Sequence, residues 1–222
     1  MSFSKIEKVQ SLKETAYEKI KNAIINHSIL PGDPLFERYL SDSLGISRTP
    51  VREAIHQLEM EGWVYSVPRK GTFVCPISLQ DVEEVLQLRK AIETLVVELL
   101  IPVISNEQIE KLERIHGLQS SRRLDNQEFI SIDKDFHLSL AELSNNRRVV
   151  MLIQTLSDQM RWFGIRAVTI PGRTEQTLQE HLAILEGLKN RDFEQAKKAV
   201  LLHIEHTKEA VVSSLKDGTG GE

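Results

Sequence analysis

Four side chains in the second half of the sequence have the types and the spacing of a metal site. Asp133 and His137 are four residues apart, so both project from the same face of a helix. His181 lies 11 residues before Asp192, and His203 lies 11 residues after it. If the chain turns back at Asp192, both histidines lie about 16 Å from the turn, at a rise of ~1.5 Å per residue. All four side chains can then meet at one point.

Three imidazoles and one carboxylate suit a divalent transition metal. We expect one such ion per chain, Zn²⁺, Ni²⁺ or Mn²⁺, with open positions for water or a ligand. His206 is one helical turn beyond His203 and either replaces it or is an ordinary surface histidine. The same donors also suit a metal-dependent hydrolase, although the sequence has no Gly-rich phosphate loop, nucleophile motif or metalloprotease motif. A purely structural ion is the third alternative.

The segments that carry these donors have a helical hydrophobic period. Ser78 and Asp81 resemble a capping box at the start of one helix. Further helices are expected at approximately 106–122, 126–143, 147–167, 174–189 and 192–214. This part of the chain is therefore predicted to be an all-helical bundle of about six helices. The first of them is expected to bury Val82, Val85, Leu86, Ile92, Leu95, Val96 and Leu99.

The beginning of the chain has a different organisation. Helical spacing runs from Leu12 to Ile29 and stops at the Pro-Gly-Asp-Pro turn 31–34. A short helical segment, Leu35 to Ser43, follows. Ser47 and Pro50 then predict the start of a third helix, through a capping hydroxyl and a proline in the first turn.

The third helix is amphipathic, and a β-hairpin follows it. Its apolar side is expected to hold Val51, Ala54, Ile55 and Leu58, opposite Arg48, Thr49, Arg52 and His56. The runs Trp63–Val67 and Gly71–Val74 are rich in β-branched and aromatic residues and flank a basic tip. Three helices and a hairpin in this order predict a winged helix-turn-helix. The expected fold class is mainly α, with this module in front of the bundle.

Composition and charge agree with a globular protein of two unlike parts. The 222 residues are 41% hydrophobic and 27% charged, and no stretch approaches the ~18 uncharged residues of a membrane span. Residues 1–10 lack the apolar core of a secretory signal, and Cys75 is the only cysteine, so we expect a cytoplasmic protein without disulfides. Residues 1–75 hold 10 basic and 9 acidic side chains, whereas residues 76–222 hold 18 and 23. This division allows a DNA-contacting module on a larger acidic domain.

Two sets of motifs resemble known families. Residues 38–74, with the run Ser47-Arg48-Thr49-Pro50-Val51-Arg52-Glu53-Ala54, resemble the DNA-binding domain of GntR-family bacterial transcription regulators. Residues 88–93, 133–137 and 180–185 resemble the ligand-sensing FCD domain of the FadR subfamily. The resemblance implies a homodimeric repressor or activator. It further implies an inverted-repeat operator in double-stranded DNA and control by a small organic acid.

The DNA-contacting residues are expected on the third helix and on the wing. Arg48 and Arg52 project from an exposed first helical turn that fits the major groove, where a guanidinium can bridge two acceptors of guanine. Ser47 and Thr49 suit phosphates. The resemblance adds Arg38, and it assigns Lys70 and Gly71 to a wing that enters the minor groove. The candidate set is therefore Arg38, Ser47, Arg48, Thr49, Arg52, Lys70 and Gly71.

The resemblance also assigns Asp133, His137, His181 and His203 as metal ligands. Arg89 interrupts an apolar helical stripe and matches the pocket arginine of the subfamily, so it is a candidate for effector binding. An ion pair with Glu93 is its alternative role. Asn146 is the second effector candidate, although the usual Ser-Gly-Asn is Ser-Asn-Asn here and a helix-breaking role explains it equally well. The expected domains are 1–75 for DNA binding and 76–216 for effector binding and dimerisation, followed by a disordered tail, 217–222.

Overall fold

The computed structural model describes residues 11–121 and 124–217. The chain forms two compact units that divide between Pro76 and Ile77. The expectations for residues 1–10 and for the tail from residue 218 onward lie outside the described residues, and Asp217 is the last residue of the final helix.

The first unit combines three helices with a small antiparallel sheet. The central strand of the sheet pairs with both of the others. The elements are α1 (Leu12–Ile25), β1 (Pro34–Leu35), α2 (Glu37–Leu44), α3 (Arg48–Met60), β2 (Val64–Val67) and β3 (Gly71–Val74). This arrangement confirms the helix order and the hairpin that the sequence predicts.

Two boundaries in this unit differ from the prediction. Helix α1 ends at Ile25 rather than Ile29, because Asn26 caps it and His27 turns into the left-handed region at φ 56°. The segment expected to begin the second helix at Leu35 is instead strand β1, in which Leu35 pairs with Thr72. A strand of two residues that begins with proline is too short to have an alternating pattern, so the sequence contained no signal for it.

Helix α3 has the expected buried side, which consists of Val51, Ala54, Ile55 and Leu58. Ser47 is its N-cap residue, but the predicted capping hydrogen bond is absent. An N-cap hydroxyl normally accepts from the amide of the second or third helical residue. Pro50 is the third helical residue here and has no amide hydrogen, which removes one of the two usual donors to the Ser47 hydroxyl.

Among its described residues, the second unit contains helices and no strand, which confirms the predicted mainly α class. No helix among the described residues is long and apolar enough to cross a membrane. The helices are α4 (Leu79–Leu100), α5 (Asn106–Ser120), α6 (Asn126–Leu143), α7 (Arg147–Ala167), α8 (Arg173–Lys189) and α9 (Phe193–Asp217).

The buried stripe of α4 differs from the prediction. Leu95 is exposed, and Ile92 and Leu99 are only half-buried. Arg89 and Glu93 are buried instead, and they form an ion pair with each other. A hydrophobic pattern is read from apolar residues alone. The buried face predicted for α4 is therefore displaced around the helix from the observed buried face, which includes this ion pair.

Helices α8 and α9 form a tight hairpin that sets the depth of two histidines. Helix α8 ends at Lys189, its C-cap is Asn190, and α9 begins at Phe193. Gly187 allows a close approach, because a Cβ atom there would lie 2.6 Å from the backbone of Ala196. Backbone atoms cannot move aside as a flexible side chain can, so the glycine fixes how α8 and α9 pack.

Replacement of Gly187 by alanine should therefore separate the two helices. We expect Gly187→Ala to lower the free energy of unfolding by about 1–3 kcal/mol, as overpacking of a core does. Gly117→Ala is the matched control, because a Cβ atom at Gly117 meets nothing within 4 Å. That variant should be neutral, or stabilised by up to ~1 kcal/mol through helix propensity. Urea unfolding measures both, and equal effects would contradict this role of Gly187.

Candidate functional site

The structure brings together the four residues that the sequence predicts as metal ligands. Ligand atoms of Asp133, His137, His181 and His203 all lie within 4.8 Å of one another. Helix α6 supplies the first two, one turn apart, and the α8–α9 hairpin supplies the others at equal depth. The three histidines are buried, and the centroids of their rings are 4.9–5.1 Å apart.

Each imidazole of this cluster has a side-chain oxygen close to its Nδ1 atom. The pairs are His137 with Glu93 at 3.1 Å, His181 with Gln119 at 3.0 Å and His203 with Glu180 at 2.8 Å. The contacts of Gln119 and Glu180 are hydrogen bonds, whereas that of Glu93 is an ion-pair contact without hydrogen-bond geometry. An oxygen at this position favours the tautomer with the proton on Nδ1, which leaves the lone pair on Nε2.

The Nε2 atoms of the three histidines are buried and have no hydrogen-bond partner. Oxygen atoms of Asp133 lie 3.4 Å from Nε2 of His181 and 3.9 Å from Nε2 of His137. Buried polar atoms are normally satisfied, so three such nitrogens around one carboxylate call for an explanation. A divalent cation satisfies all of them at once, and the donors fit Zn²⁺, Ni²⁺ or Mn²⁺.

Burial favours the neutral form of two imidazoles, those of His181 and His203. Burial, together with the charges of His203 and His137, lowers the pKa of His181 well below its usual value. Burial also lowers the pKa of His203, against a smaller opposite effect of Glu180. Neutral imidazole is the form that binds a metal.

The two carboxylates behind the histidines stay ionised although they are buried. Burial raises the pKa of Glu93, but Arg89 and then His137 outweigh it, so the pKa lies below the usual value. The pKa of Glu180 is lowered in the same way, because contacts with His203 and Arg173 outweigh its burial.

Glu180 is the centre of a buried network that the sequence analysis missed. Its carboxylate accepts from Nη1 of Arg173 at 3.0–3.1 Å and lies 2.6 Å from Nδ1 of His206. His206 is thus neither a substitute for His203 nor a free surface histidine. The spacing of Arg173 and Glu180, seven residues along one face of α8, was a possible signal. No sequence signal indicated Gln119, because it lies on α5, far in sequence from its partner His181.

A small cavity of about 40 Å³, partly open to solvent, adjoins the cluster. Arg89 lines it while its Nε atom contacts Glu93, so the ion pair leaves room for the effector-binding role predicted for this arginine. Other charged or polar lining residues are Asp133, Lys134, His137, Ser157, Arg161, Arg173, Thr177, His203 and Thr207. The apolar lining residues are Phe129, Ile130, Met160, Gly164, Ala167 and Val168.

Asn146 does not line this cavity. It is the N-cap of α7, and its side-chain oxygen accepts from the amides of Arg148 and Val149 at 3.1 and 3.2 Å. These contacts start α7 and agree with the helix-breaking role that the sequence left open for Asn146. Trp162 is also absent from the lining and packs against Phe163 in the core, with ring centroids 5.7 Å apart.

The candidate DNA-contacting residues of α2 and α3 are exposed. Arg48, Thr49 and the N-cap Ser47 lie at the start of α3. Arg52 lies one turn further on, and Glu37 holds it through Nε at 2.9 Å and Nη2 at 2.8 Å. The sequence analysis missed Glu37, since it lies on another helix.

Arg38 and the wing complete this set. The side chain of Arg38 is 80% exposed, and the carboxylate of Asp42 lies 3.9 Å from its Nε atom. Lys70 and Gly71 are exposed at the tip between β2 and β3. The tip is tight, because Arg69 has φ 65° and Gly71 has φ 120°. A glycine adopts such an angle without strain and leaves room for close contact.

Comparison with known proteins identifies both units. Residues 12–74 match the family model "Bacterial regulatory proteins, gntR family", and residues 84–206 match that of the FCD domain. The chain belongs to the GntR family. Members of this family are transcription regulators that bind DNA, and FCD domains bind small-molecule effectors and often a metal.

Relatives and solved structures agree with this assignment. The HTH-type transcriptional regulator YdhC of Bacillus subtilis is 31% identical over 207 residues, which cover 91% of this chain and 92% of YdhC. The HTH-type transcriptional repressor RspR of Escherichia coli is 28% identical over 215 residues, which cover 94% and 92%. The structure of E. coli McbR/YncC has a TM-score of 0.76 at 20% identity and covers 95% of this chain and 100% of its own. At that identity the likeness concerns the fold.

These relatives distinguish a transcription regulator from a metal-dependent hydrolase, two of the functions that the metal-ligating residues left open. The relatives and structural neighbours of this GntR chain are transcription regulators and not enzymes. The alternative of a metal-dependent hydrolase is therefore wrong.

His181 and His203 predict a pH dependence of stability in the metal-free protein. Because their pKa values are lowered on folding, the unfolded chain takes up protons near pH ~6.5 that the folded chain does not. The free energy of unfolding should therefore be highest above that pH. It should fall below it by about 1.4 kcal/mol per pH unit for each histidine.

Urea unfolding of chelated protein between about pH 5 and about pH 7.5 measures this slope. The double variant His181→Gln, His203→Gln is the control and should lose most of it. Equal slopes in both proteins would mean that other groups cause the dependence.

Proposed function

We propose that this GntR regulator is a homodimeric repressor of the FadR subfamily. In this proposal a small carboxylate, bound beside a divalent metal in the helical domain, controls its affinity for an operator in the cytoplasm. The observation that carries the proposal is the set of three buried, unpartnered Nε2 atoms around Asp133, at the wall of a cavity that also contains Arg89. The name of RspR, a repressor, supports the sign of regulation.

Asp133, His137, His181 and His203 would hold the metal. A bound metal supplies a Lewis acid that attracts the carboxylate of the effector. Arg89 offers a guanidinium on the same cavity, and Glu93 orients it through its Nε atom. Charge-assisted contacts of this kind are about twice as strong as neutral hydrogen bonds.

The start of α3 would read the major groove. The amides of the first helical turn and the Ser47 hydroxyl, which makes no capping bond, suit a phosphate. Glu37 occupies Nε and Nη2 of Arg52, so the guanidinium is held in one orientation with its Nη1 edge directed elsewhere. Arg48 and Arg52 would contact base edges, Thr49 and Arg38 the backbone, and Lys70 and Gly71 the minor groove.

Two copies of residues 1–75 would read the two halves of an inverted repeat, with residues 76–216 as the effector-binding and dimerisation domain. The effector must bind the DNA-competent and DNA-incompetent states with different affinity, because only such a difference moves the equilibrium. A coupling of about 1–3 kcal/mol gives a 5–150-fold response.

Removal of the metal tests the proposal most directly. We expect elemental analysis to find one transition metal per chain. We also expect organic acids to raise the melting temperature only before chelation, because the metal forms part of their site. Stabilisation by acids that survives chelation would leave the metal a structural role. Protein without metal, purified under conditions that retain it, would contradict the proposal.

His181→Ala should lower the metal content, because it removes a ligand. His116→Ala is the matched control, since His116 is also buried but contacts the carbonyl of Leu178 at 3.1 Å, outside the cluster. An unchanged metal content in His181→Ala would remove that residue from the site.

Arg52→Ala should weaken operator binding by about 1–3 kcal/mol, the value of a bidentate guanine contact. Metal content should stay the same. DNA selected by the wild type from a randomised pool provides the operator, and fluorescence anisotropy measures the affinity. Arg114→Ala removes the same charge from an exposed position on α5, 66% exposed, and should have little effect. Equal weakening by both variants would mean that Arg52 contributes only charge.

A further inference from the structure

We propose that the effector has its charge at one end only. It would be a monocarboxylate whose other end is an uncharged, apolar tail. This inference rests on the proposed function, because it concerns the same cavity. It follows from how the lining side chains are distributed along helices α6 and α7.

The charged end of the cavity lies beside the histidine cluster. On α6, Asp133 and Lys134 are one turn before His137, and Lys134 contacts Asp158 of α7 at 3.3 Å. This contact places residue 158 of α7 level with residue 134 of α6. The side chain of Arg161 extends from α7 toward the preceding turn, as long helical side chains do, and therefore toward this same end.

The apolar end lies one to two turns farther along both helices. Ile130 precedes His137 by seven residues, which is roughly 10 Å at about 1.5 Å per residue. A Cβ atom at Gly164 would lie 3.3 Å from Cδ1 of Ile130, so these two residues face each other. The other lining residues at this end, Phe129, Ala167 and Val168, are also uncharged.

Arg173 is the cation that could hold a second carboxylate near the apolar end. Its guanidinium is already bonded to Glu180 at 3.0 Å and to the Thr207 hydroxyl at 2.9 Å. The hydroxyls of Thr207 and Thr177 donate to the carbonyls of His203 and Arg173. The polar groups of this wall are therefore bonded within the protein. A second charge on the effector would have to displace a buried ion pair.

A matched series of acids tests the inference with the metal-loaded full-length protein. Isothermal titration with acetate, butanoate, hexanoate and octanoate should show a dissociation constant that falls about fourfold for each buried methylene. Succinate and adipate, which have the chain lengths of butanoate and hexanoate, should bind more weakly than those monocarboxylates.

Gly164→Val should remove the gain from chain length without loss of the bound metal, because the added methyl groups fill the apolar end. Gly117→Val is the matched control, since it places the same residue in a helix where a Cβ atom meets nothing within 4 Å. Ile130→Val enlarges the same end and should move the best chain length upward, which keeps the test decisive if Gly164→Val does not fold.

The outcomes separate this inference from the proposed function. Affinity that rises with chain length and depends on Gly164 supports both. Dicarboxylates that bind as well as, or better than, the matched monocarboxylates overturn the inference alone, and so does affinity independent of chain length. If no acid binds while the metal is present, the proposed effector site is wrong, and the inference is wrong with it.

Discussion

The helical domain is organised around a conflict between burial and polarity. An apolar bundle excludes water from His137, His181 and His203, and a buried nitrogen without a partner is unfavourable. The structure meets part of this demand with protein atoms, because Gln119 and Glu180 bond the Nδ1 atoms of His181 and His203, and Glu93 lies 3.1 Å from Nδ1 of His137. The carboxylates of Glu93 and Glu180 are in turn neutralised by Arg89 and Arg173. A buried histidine requires a buried acceptor, and a buried carboxylate acceptor requires a buried arginine. This sequence of requirements explains why so many charged side chains are enclosed in this bundle.

The sequence predicted the parts of this arrangement that depend on periodicity. The i, i+4 spacing of Asp133 and His137 and the symmetry of His181 and His203 about the turn follow from the geometry of a helix. The fold class follows from the same periods. The partners behind the histidines could not be found in this way, since Gln119 and Glu180 meet their histidines through packing of separate helices. Arg89 could be found from the sequence, because it interrupts an apolar helical stripe four residues before Glu93, and the structure buries it in an ion pair with that residue.

The DNA-binding module shows where local rules compete. Proline in the first turn of α3 is favourable for the backbone. The same proline removes an amide that the N-cap hydroxyl of Ser47 would otherwise use. A hydroxyl and helix-start amides without internal partners lower the stability of the helix slightly, and they remain available to a ligand outside. Such local conflicts are typical of functional surfaces.

Strand β1 has only two residues, but it pairs directly with the strand that begins at the wing. The next residues, Phe36 and Glu37, open the helix that carries Arg38. The element expected in the minor groove and the one expected beside the major groove are thus joined through backbone hydrogen bonds. This pairing fixes the distance between the wing and α2. The module would therefore favour DNA in which the neighbouring grooves have a matching separation. It would thus discriminate by groove width at base pairs that it does not contact.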